Sequence, residues 1–203
     1  MSDTAPSRSL ILEFREERRA MADGYAFLDE KCLLLAGEML RQLRALRELR
    51  AALAAAQSRA LAALAAALTR HGLEALQLHP PAAALEVKLV TNIRILMGVK
   101  LISANYPLAP TTAPLPPGLF DSRELEDCAA AFQALAECAA PLGATTANLE
   151  RLAAEYRRAI RRARALHDVL LPELDSRLGE LETRLEDLER EDAIAMRLGA
   201  SRS

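Results

Sequence analysis

The feature that most constrains the fold is a proline-free stretch from Ser9 to Arg70 in which apolar residues recur every seven positions. Two such series interleave with an offset of four residues. They are Phe14, Met21, Leu28 and Leu35, and Tyr25, Cys32, Met39, Leu46 and Leu53. Together they predict the a/d seam of a coiled coil, with Arg18 and Gln42 as polar exceptions. So long a helix needs a partner helix along most of its length.

Alanines replace the larger residues beyond Leu53, where the seam continues as Ala60 and Ala67. Small residues at seam positions let two helices approach each other closely, so we expect tighter packing there. Ser9 is the expected N-cap of this helix, and His71-Gly72 is the expected C-terminal stop.

The end of the chain carries a second seam, whose leucines alternate in steps of four and three. They are Leu174, Leu178, Leu181, Leu185 and Leu188. Seven-residue series running through Ala163 to Leu170, and through His167 to Leu174, predict that this seam continues upstream across Pro172. Because proline lacks an N–H, the Asp168 carbonyl loses its helical partner, and we expect the helix to bend at Pro172.

Between the two helical segments the composition changes. Residues 85–102 are rich in Val, Ile and Thr, which predicts extended structure, either a hairpin or two short strands. The stretch from Tyr106 to Gly118 contains five prolines and is predicted to be loop or polyproline-like. They are Pro107, Pro110, Pro114, Pro116 and Pro117.

These patterns predict a chain dominated by α-helix, in which the N- and C-terminal helices form a long antiparallel two-helix coiled coil. The expected parts are residues 9–71 (first coiled-coil helix), 72–120 (central insert with hairpin and Pro-rich loop), 121–142 (short helix) and 143–199 (second coiled-coil helix). Asp121 or Ser122 is expected to cap the short helix, and a break is expected at residues 140–143, which contain Pro141.

Composition and motifs argue against catalysis. The formal net charge of −2 gives no indication of a nucleic-acid or acidic-membrane partner. Aromatic residues make up only 3% of the chain and Trp is absent. No phosphate-binding loop, dinucleotide fingerprint, H-E-x-x-H or G-x-S-x-G sequence occurs. The three cysteines (Cys32, Cys128, Cys138) and three histidines (His71, His79, His167) are scattered, which predicts buried thiols and no metal, cofactor or disulfide. The lack of catalytic motifs predicts a non-catalytic protein. We also expect a soluble one, because no stretch reaches the roughly 18 uncharged apolar residues that a transmembrane helix needs.

Two charged segments admit simple interpretations. The arginine-rich run from Tyr156 to His167 is expected to be a solvated helix face or a docking surface for an acidic protein. A nucleic-acid site is not expected, because the arginines have no aromatic residues interleaved with them and the domain is not net basic. In the acidic C-terminal segment, pairs such as Glu180 with Arg184 and Glu186 with Arg190 are expected to support the helix.

Both terminal segments and the insert resemble one family, the D subunits of V-type (archaeal/vacuolar-type) ATP synthases. The C-terminal run RRARALHDVLLPELDSRLGELETRLEDLERED, with Pro172 between an apolar run and an acidic-leucine helix, is similar to the family's C-terminal signature. The opening segment from Ser9 to Lys31 and the LMGVKL segment around Gly98 are similar to its first helix and its insert.

The resemblance implies a central rotor shaft that transmits torque between a catalytic A/B hexamer and a membrane ion-translocating ring. It implies the F rotor subunit and a ring-linking subunit as further partners, no bound nucleotide, and a cytoplasmic location peripheral to the membrane. It also implies a hexamer-facing tip, for which we predict Arg15, Arg18, Arg19, Arg184 and Arg190. The alternative is a coiled-coil stalk or adaptor of a secretion-type export ATPase, which typically lacks a β-prone insert.

Overall fold

The computed structural model describes residues 7–77, 89–106 and 122–200. The elements in chain order are α1 (Arg8–Gln77), β1 (Val90–Leu96), β2 (Val99–Asn105), α2 (Arg123–Ala165), a π-helical turn (Leu166–Leu170) and α3 (Leu171–Ala200). The Pro-rich loop, His79 and Asp121 lie outside the described residues. Long terminal helices with a small hairpin between them confirm the predicted fold class.

The chain divides into two compact units, which we describe separately. The terminal unit consists of Met1–Leu34 and Tyr156–Ser203, and the central unit of Leu35–Glu155. Both α1 and α2 therefore contribute residues to each unit. In the terminal unit, residues that ascend along α1 contact residues that descend along α3, which makes the two helices antiparallel.

The first turn of α1 is capped by Ser7, and the predicted cap Ser9 is wrong. The Leu10 amide donates to Ser7 Oγ at 3.3 Å, and the Ile11 amide donates to the Ser7 carbonyl at 3.1 Å. Ser9 Oγ instead lies 3.0 Å from Ser7 Oγ. An N-cap oxygen must reach the amide two or three residues later, and only Ser7 does so here.

The C-terminal seam changes phase at the π turn. Upstream, Ala159 and Ala163 are buried and Leu166 is half-buried; downstream the half-buried Leu171 is followed by two buried leucines, Leu174 and Leu178, and by the half-buried Leu181 and Leu185. The step from Leu166 to Leu171 is thus five residues, and the Leu171 amide donates to the Leu166 carbonyl. The π turn contributes one extra residue compared with an α-helical turn.

This phase change makes part of the predicted C-terminal seam wrong. His167, Leu170 and Leu188 are exposed, the last two by 38% and 44%. A seven-residue spacing counted through the π turn selects the wrong side of the helix, because the inserted residue rotates everything before it relative to everything after it. The bend assigned to Pro172, the second residue of α3, stays a prediction.

In the central unit the seam is built from leucines and then from alanines. Leu35 and Leu152 are fully buried, and Ala56, Ala60 and Ala67 are exposed by no more than 1%. The predicted alanine seam beyond Leu53 is confirmed. Gly72, within the last part of α1, has φ 76° and ψ 165°, which ends regular helix at the predicted position before residues 73–77.

The insert contains a two-stranded antiparallel hairpin in which Leu96 pairs with Val99. The two turn residues, Met97 and Gly98, have φ of 47° and 85°. Positive φ at both central positions is the pattern of a type I′ turn, which suits the twist of a two-residue hairpin. Of the alternatives that the sequence left open, the hairpin is confirmed.

The predicted break at residues 140–143, and with it a separate short helix, is wrong, because α2 runs through Pro141 without interruption. Two threonines one turn later donate back to the backbone: Thr145 to the Pro141 carbonyl at 2.8 Å and Thr146 to the Leu142 carbonyl at 2.9 Å. Thr145 and Asn148 are themselves buried. Burial of this part of α2 offsets the cost of the missing proline donor.

Candidate functional site

Among the described residues of the terminal unit, three ion pairs join α1 to α3. Arg8 donates to Glu189 at 2.7 Å and Arg15 to Glu182 at 2.6 Å, and Arg18 pairs with Asp175. The arginine side chains are 50–80% exposed. Hydrogen bonds and charge from the paired carboxylates raise the pKa of Arg8 and Arg18. These pairs flank the seam on the solvent side, where each contributes little to stability but favours one alignment of the helices.

The five arginines predicted at the tip fall into two groups. Arg15 and Arg18 are engaged with α3, and Arg190 pairs with Glu186 and Asp187 on its own helix, each at 3.2 Å. Within the part of the chain that the structure describes, Arg19 and Arg184 are exposed and form no ion pair. The predicted Glu186–Arg190 pair is confirmed, whereas Glu180 and Arg184 do not pair.

The central unit instead contains a buried carboxylate. Glu38 is 1% exposed, and its Oε1 accepts hydrogen bonds from Arg94 of β1 at 2.8 Å and from Gln42 at 2.9 Å. Its Oε2 lies against the Arg41 guanidinium, without the geometry of a hydrogen bond. Burial acts to raise the pKa of Glu38, but the hydrogen bonds and the charges of Arg94 and Arg41 hold it below its ordinary value.

A buried asparagine on α2 holds the other strand of the hairpin. Asn148 is 4% exposed; its Oδ1 accepts from the Ile102 amide and its Nδ2 donates to the Ile102 carbonyl, both at 2.8 Å. Arg151 also donates to Oδ1, at 3.2 Å, which fixes the orientation of the amide. The Asn148 side chain thus bonds to β2 as a neighbouring strand would.

The described histidines lie close to neighbouring polar side chains, and two of the three cysteines are buried. Nε2 of His71 lies 2.6 Å from Ser122 Oγ, and Nδ1 of His167 lies 2.8 Å from Asp168. Burial raises the pKa of the Cys32 and Cys128 thiols, both of which are buried as expected, whereas Cys138, also predicted to be buried, is only half-buried. Among the described residues, no three His, Cys, Asp or Glu side chains are grouped so as to hold a metal ion.

Sequence reasoning missed Glu38 and Asn148 as site residues. Glu38 lies beside the seam position Met39, where a charged residue is ordinarily solvated, and nothing in the sequence pairs it with Arg94, 56 positions away. Asn148 precedes the predicted seam residue Leu149 by one position. A polar residue adjoining an apolar series was the signal available for both, but it does not identify the partner.

One described helix, α1, is long and apolar enough to cross a membrane by length and composition. Its most apolar 18-residue stretch has a mean hydropathy of 1.5, and 17% of that stretch is buried within the protein. This finding differs from the expectation that no apolar stretch of the chain is long enough to span a membrane. The core helix of a soluble protein also meets this criterion of length and composition.

Comparison with known proteins identifies the family. The family model for the D subunit of ATP synthase matches residues 11–198. The chain is 31% identical over 206 residues to the V-type ATP synthase D subunit of Anaeromyxobacter dehalogenans strain 2CP-C, covering 97% of this chain and 95% of the relative. It is 29% identical over 203 residues to that of Anaeromyxobacter sp. strain Fw109-5, covering 97% and 93%. Because the family model covers both terminal helices and the hairpin, the chain belongs to the family of ATP synthase D subunits.

Proposed function

We propose that this protein is the central rotor shaft of a V/A-type rotary ATPase or ATP synthase. Its function would be to transmit torque between the catalytic A/B hexamer and the membrane ion-translocating ring, without catalysing a reaction itself. The observation that carries this proposal is the antiparallel pairing of α1 with α3 in one unit, in a chain of the D-subunit family. Such a pair can enter a central cavity, and its flanking ion pairs resist sliding of one helix along the other.

The proposed partners are the A and B subunits at the terminal unit, with the F rotor subunit and the ring-linking subunit elsewhere on the shaft. The location is cytoplasmic and peripheral to the membrane, with no direct insertion and no nucleic-acid binding. The exposed arginines Arg8, Arg15 and Arg18 support a location in water, because each retains at least half of its side-chain exposure.

The ion pairs of the tip sharpen the choice of hexamer-facing residues. Of the five predicted arginines, Arg19 and Arg184 are the stronger candidates, because Arg15, Arg18 and Arg190 already neutralise carboxylates within the chain. The export-ATPase alternative is disfavoured by the family match and by the hairpin, which such stalks typically lack.

Reconstitution tests this proposal directly. The chain is mixed with separately purified A and B subunits, and complex formation is followed by gel filtration together with ATP hydrolysis. We expect a stoichiometric complex whose affinity falls in Arg19→Glu and Arg184→Glu. Glu126→Arg, an exposed residue of α2 in the central unit, is the control for a change of charge. A chain that never joins the hexamer contradicts the proposal.

A further inference from the structure

Among the described residues, the hairpin is held by three buried side chains of β2 and by a few polar contacts with α1 and α2. Isolated two-stranded hairpins are at best marginally stable in water. Six of the seven residues of β1 are exposed, and Ile93 and Ile95 are 64% and 66% exposed. The apolar contacts of β2 come from Val99, Leu101 and Ala104, which are buried.

Packing beneath the hairpin is incomplete. An open cavity of about 220 Å³ lies there, bordered by residues of both strands and of both helices. Its polar lining includes Gln42, Arg94 and Asn148, the residues that make or support the hydrogen bonds described above. Because this cavity is open, the buried side chains of β2 share the positioning of the hairpin with these polar contacts.

We propose that Glu38 and Asn148 are positioning residues that act together to hold the hairpin in one place, Glu38 through Arg94 of β1 and Asn148 through Ile102 of β2. The two contacts hold different strands from different helices, α1 and α2. Sliding the hairpin by one residue breaks both, because it moves Arg94 to the opposite face and the Ile102 amide and carbonyl to the opposite edge. This inference does not depend on the rotary function.

The pairing of the strands supplies a specific probe. Leu96 pairs with Val99 across the turn, so hydrogen-bonded pairs alternate from there and the pair Ile93–Ile102 does not bond across the ladder. The Ile102 amide donates to Asn148 Oδ1, whereas the Leu101 amide belongs to a residue pair that is hydrogen-bonded across the two strands. Exchange of the Ile102 amide therefore reports attachment of the hairpin, and exchange of the Leu101 amide reports folding of the hairpin itself.

The first test uses Glu38→Gln in the full-length chain, with Glu48→Gln, an exposed carboxylate of the same helix, as the control. Amide hydrogen exchange is measured by NMR. We expect Glu38→Gln to accelerate exchange of Ile102, which lies on the other strand, by about tenfold or more, because loss of the charged hydrogen bond weakens both attachments. Glu48→Gln should change it by less than about twofold. An unchanged Ile102 rate in Glu38→Gln overturns the proposal.

The reciprocal test uses Asn148→Leu, which fills the site but cannot bond to Ile102. If the attachments act together, Arg94 moves away from Glu38 and the pKa of Glu38, followed by carboxyl NMR, rises. If Asn148 is only a buried filler, the apolar replacement leaves that pKa unchanged, and the proposal fails.

Met97→Asn separates position from folding. Asn suits the left-handed conformation of Met97 in the turn and should strengthen the hairpin itself. Added to Glu38→Gln, it should keep exchange at Leu101 slow and leave exchange at Ile102 fast. Slow exchange at both amides in the double variant would mean that Glu38 stabilises the hairpin without positioning it, which contradicts the proposal.

Discussion

In the terminal unit, the charged contacts between helices lie at the exposed flanks of the seam, whereas in the central unit one carboxylate is buried beside it. Arg8, Arg15 and Arg18 keep half or more of their side-chain surface in water, but Glu38 is 1% exposed. An exposed ion pair favours one alignment of the two helices, and water readily solvates its charges when the pair breaks. A buried charge must keep its partners, because its desolvation is otherwise uncompensated.

This difference corresponds to what each unit must organise. The terminal unit pairs the first part of α1 with a helical stretch made of the end of α2, the π turn and α3, and an apolar seam with flanking charges suffices for this pairing. The central unit must also hold a hairpin whose first strand is almost wholly exposed. Directional bonds from Glu38 and Asn148 can specify such a position, whereas apolar burial alone is not directional.

The largest expected effect comes from the seam of the central unit. Leu152→Ala removes a fully buried side chain and should lower the free energy of unfolding by about 2–5 kcal/mol. Leu188→Ala, at 44% exposure in the terminal unit, is the matched control and should change it by about 0.5 kcal/mol or less. Urea denaturation followed by circular dichroism measures both. Equal losses would contradict the burial that distinguishes these two leucines.

The π turn provides the next test, in the terminal unit. Deleting Val169 reduces the five-residue seam step to four, but it places Pro172 in an ordinary α-helical turn, at a cost of about 3 kcal/mol. Adding Pro172→Ala should restore most of the loss, because the shortened seam remains in phase. Deletion of the exposed Glu180 reduces a step of three to two, and Pro172→Ala should not rescue it. Thermal unfolding that shows rescue of both deletions, or of neither, contradicts a link between the π turn and Pro172.

Acid should destabilise the protein by protonating the buried carboxylate of Glu38. Because the folded-state pKa of Glu38 is depressed, its stabilisation is fully present above the unfolded-state pKa of about 4.3 and is lost as pH falls through the folded-state value. Wild type should therefore lose more stability than Glu38→Gln over this acidic range, by about 1–3 kcal/mol. Parallel pH profiles of the two proteins, measured by urea denaturation, would show that Glu38 is not held ionised by its partners.

The ion pairs of the terminal unit should show the smallest effect. Exposed pairs contribute about 1 kcal/mol or less, so Arg15→Gln should destabilise the chain less than Glu38→Gln does. A double-mutant cycle with Glu182→Gln should give a small coupling that disappears in about 0.5 M salt. Arg19→Gln, which has no ion-pair partner among the described residues, is the control. A coupling that persists in high salt would contradict a solvent-screened pair.

The sequence predicted the helix pairing and the hairpin because both rest on local periodicity. Leu35, Ala60 and Leu174 lie at the expected spacing and are buried. A stretch rich in Val, Ile and Thr that contains Gly98 was sufficient to indicate strands. Where prediction failed, a local signal was outweighed by packing: Pro141 indicates a break, but α2 continues through it, and Thr145 and Asn148 in the next two turns are buried.

Two further features could not be read from spacing. The π turn inserts a residue between Leu166 and Leu171, and a heptad count has no means of detecting an insertion. Glu38 meets Arg94, and Asn148 meets Ile102, only after the hairpin has folded against the helices. Tertiary contacts over such distances in sequence decide which polar residues become buried.

The proposed rotation of the shaft is tested most directly by watching it turn. A reactive cysteine is introduced as Lys100→Cys on the hairpin after Cys32, Cys128 and Cys138 are replaced by Ala, and a bead is attached to it. The A and B subunits are reconstituted around the shaft and fixed to a surface. We predict rotation of the bead in one direction during ATP hydrolysis, stopping when ATP is removed. A bound shaft that stays still while the hexamer hydrolyses ATP would contradict the proposed rotation.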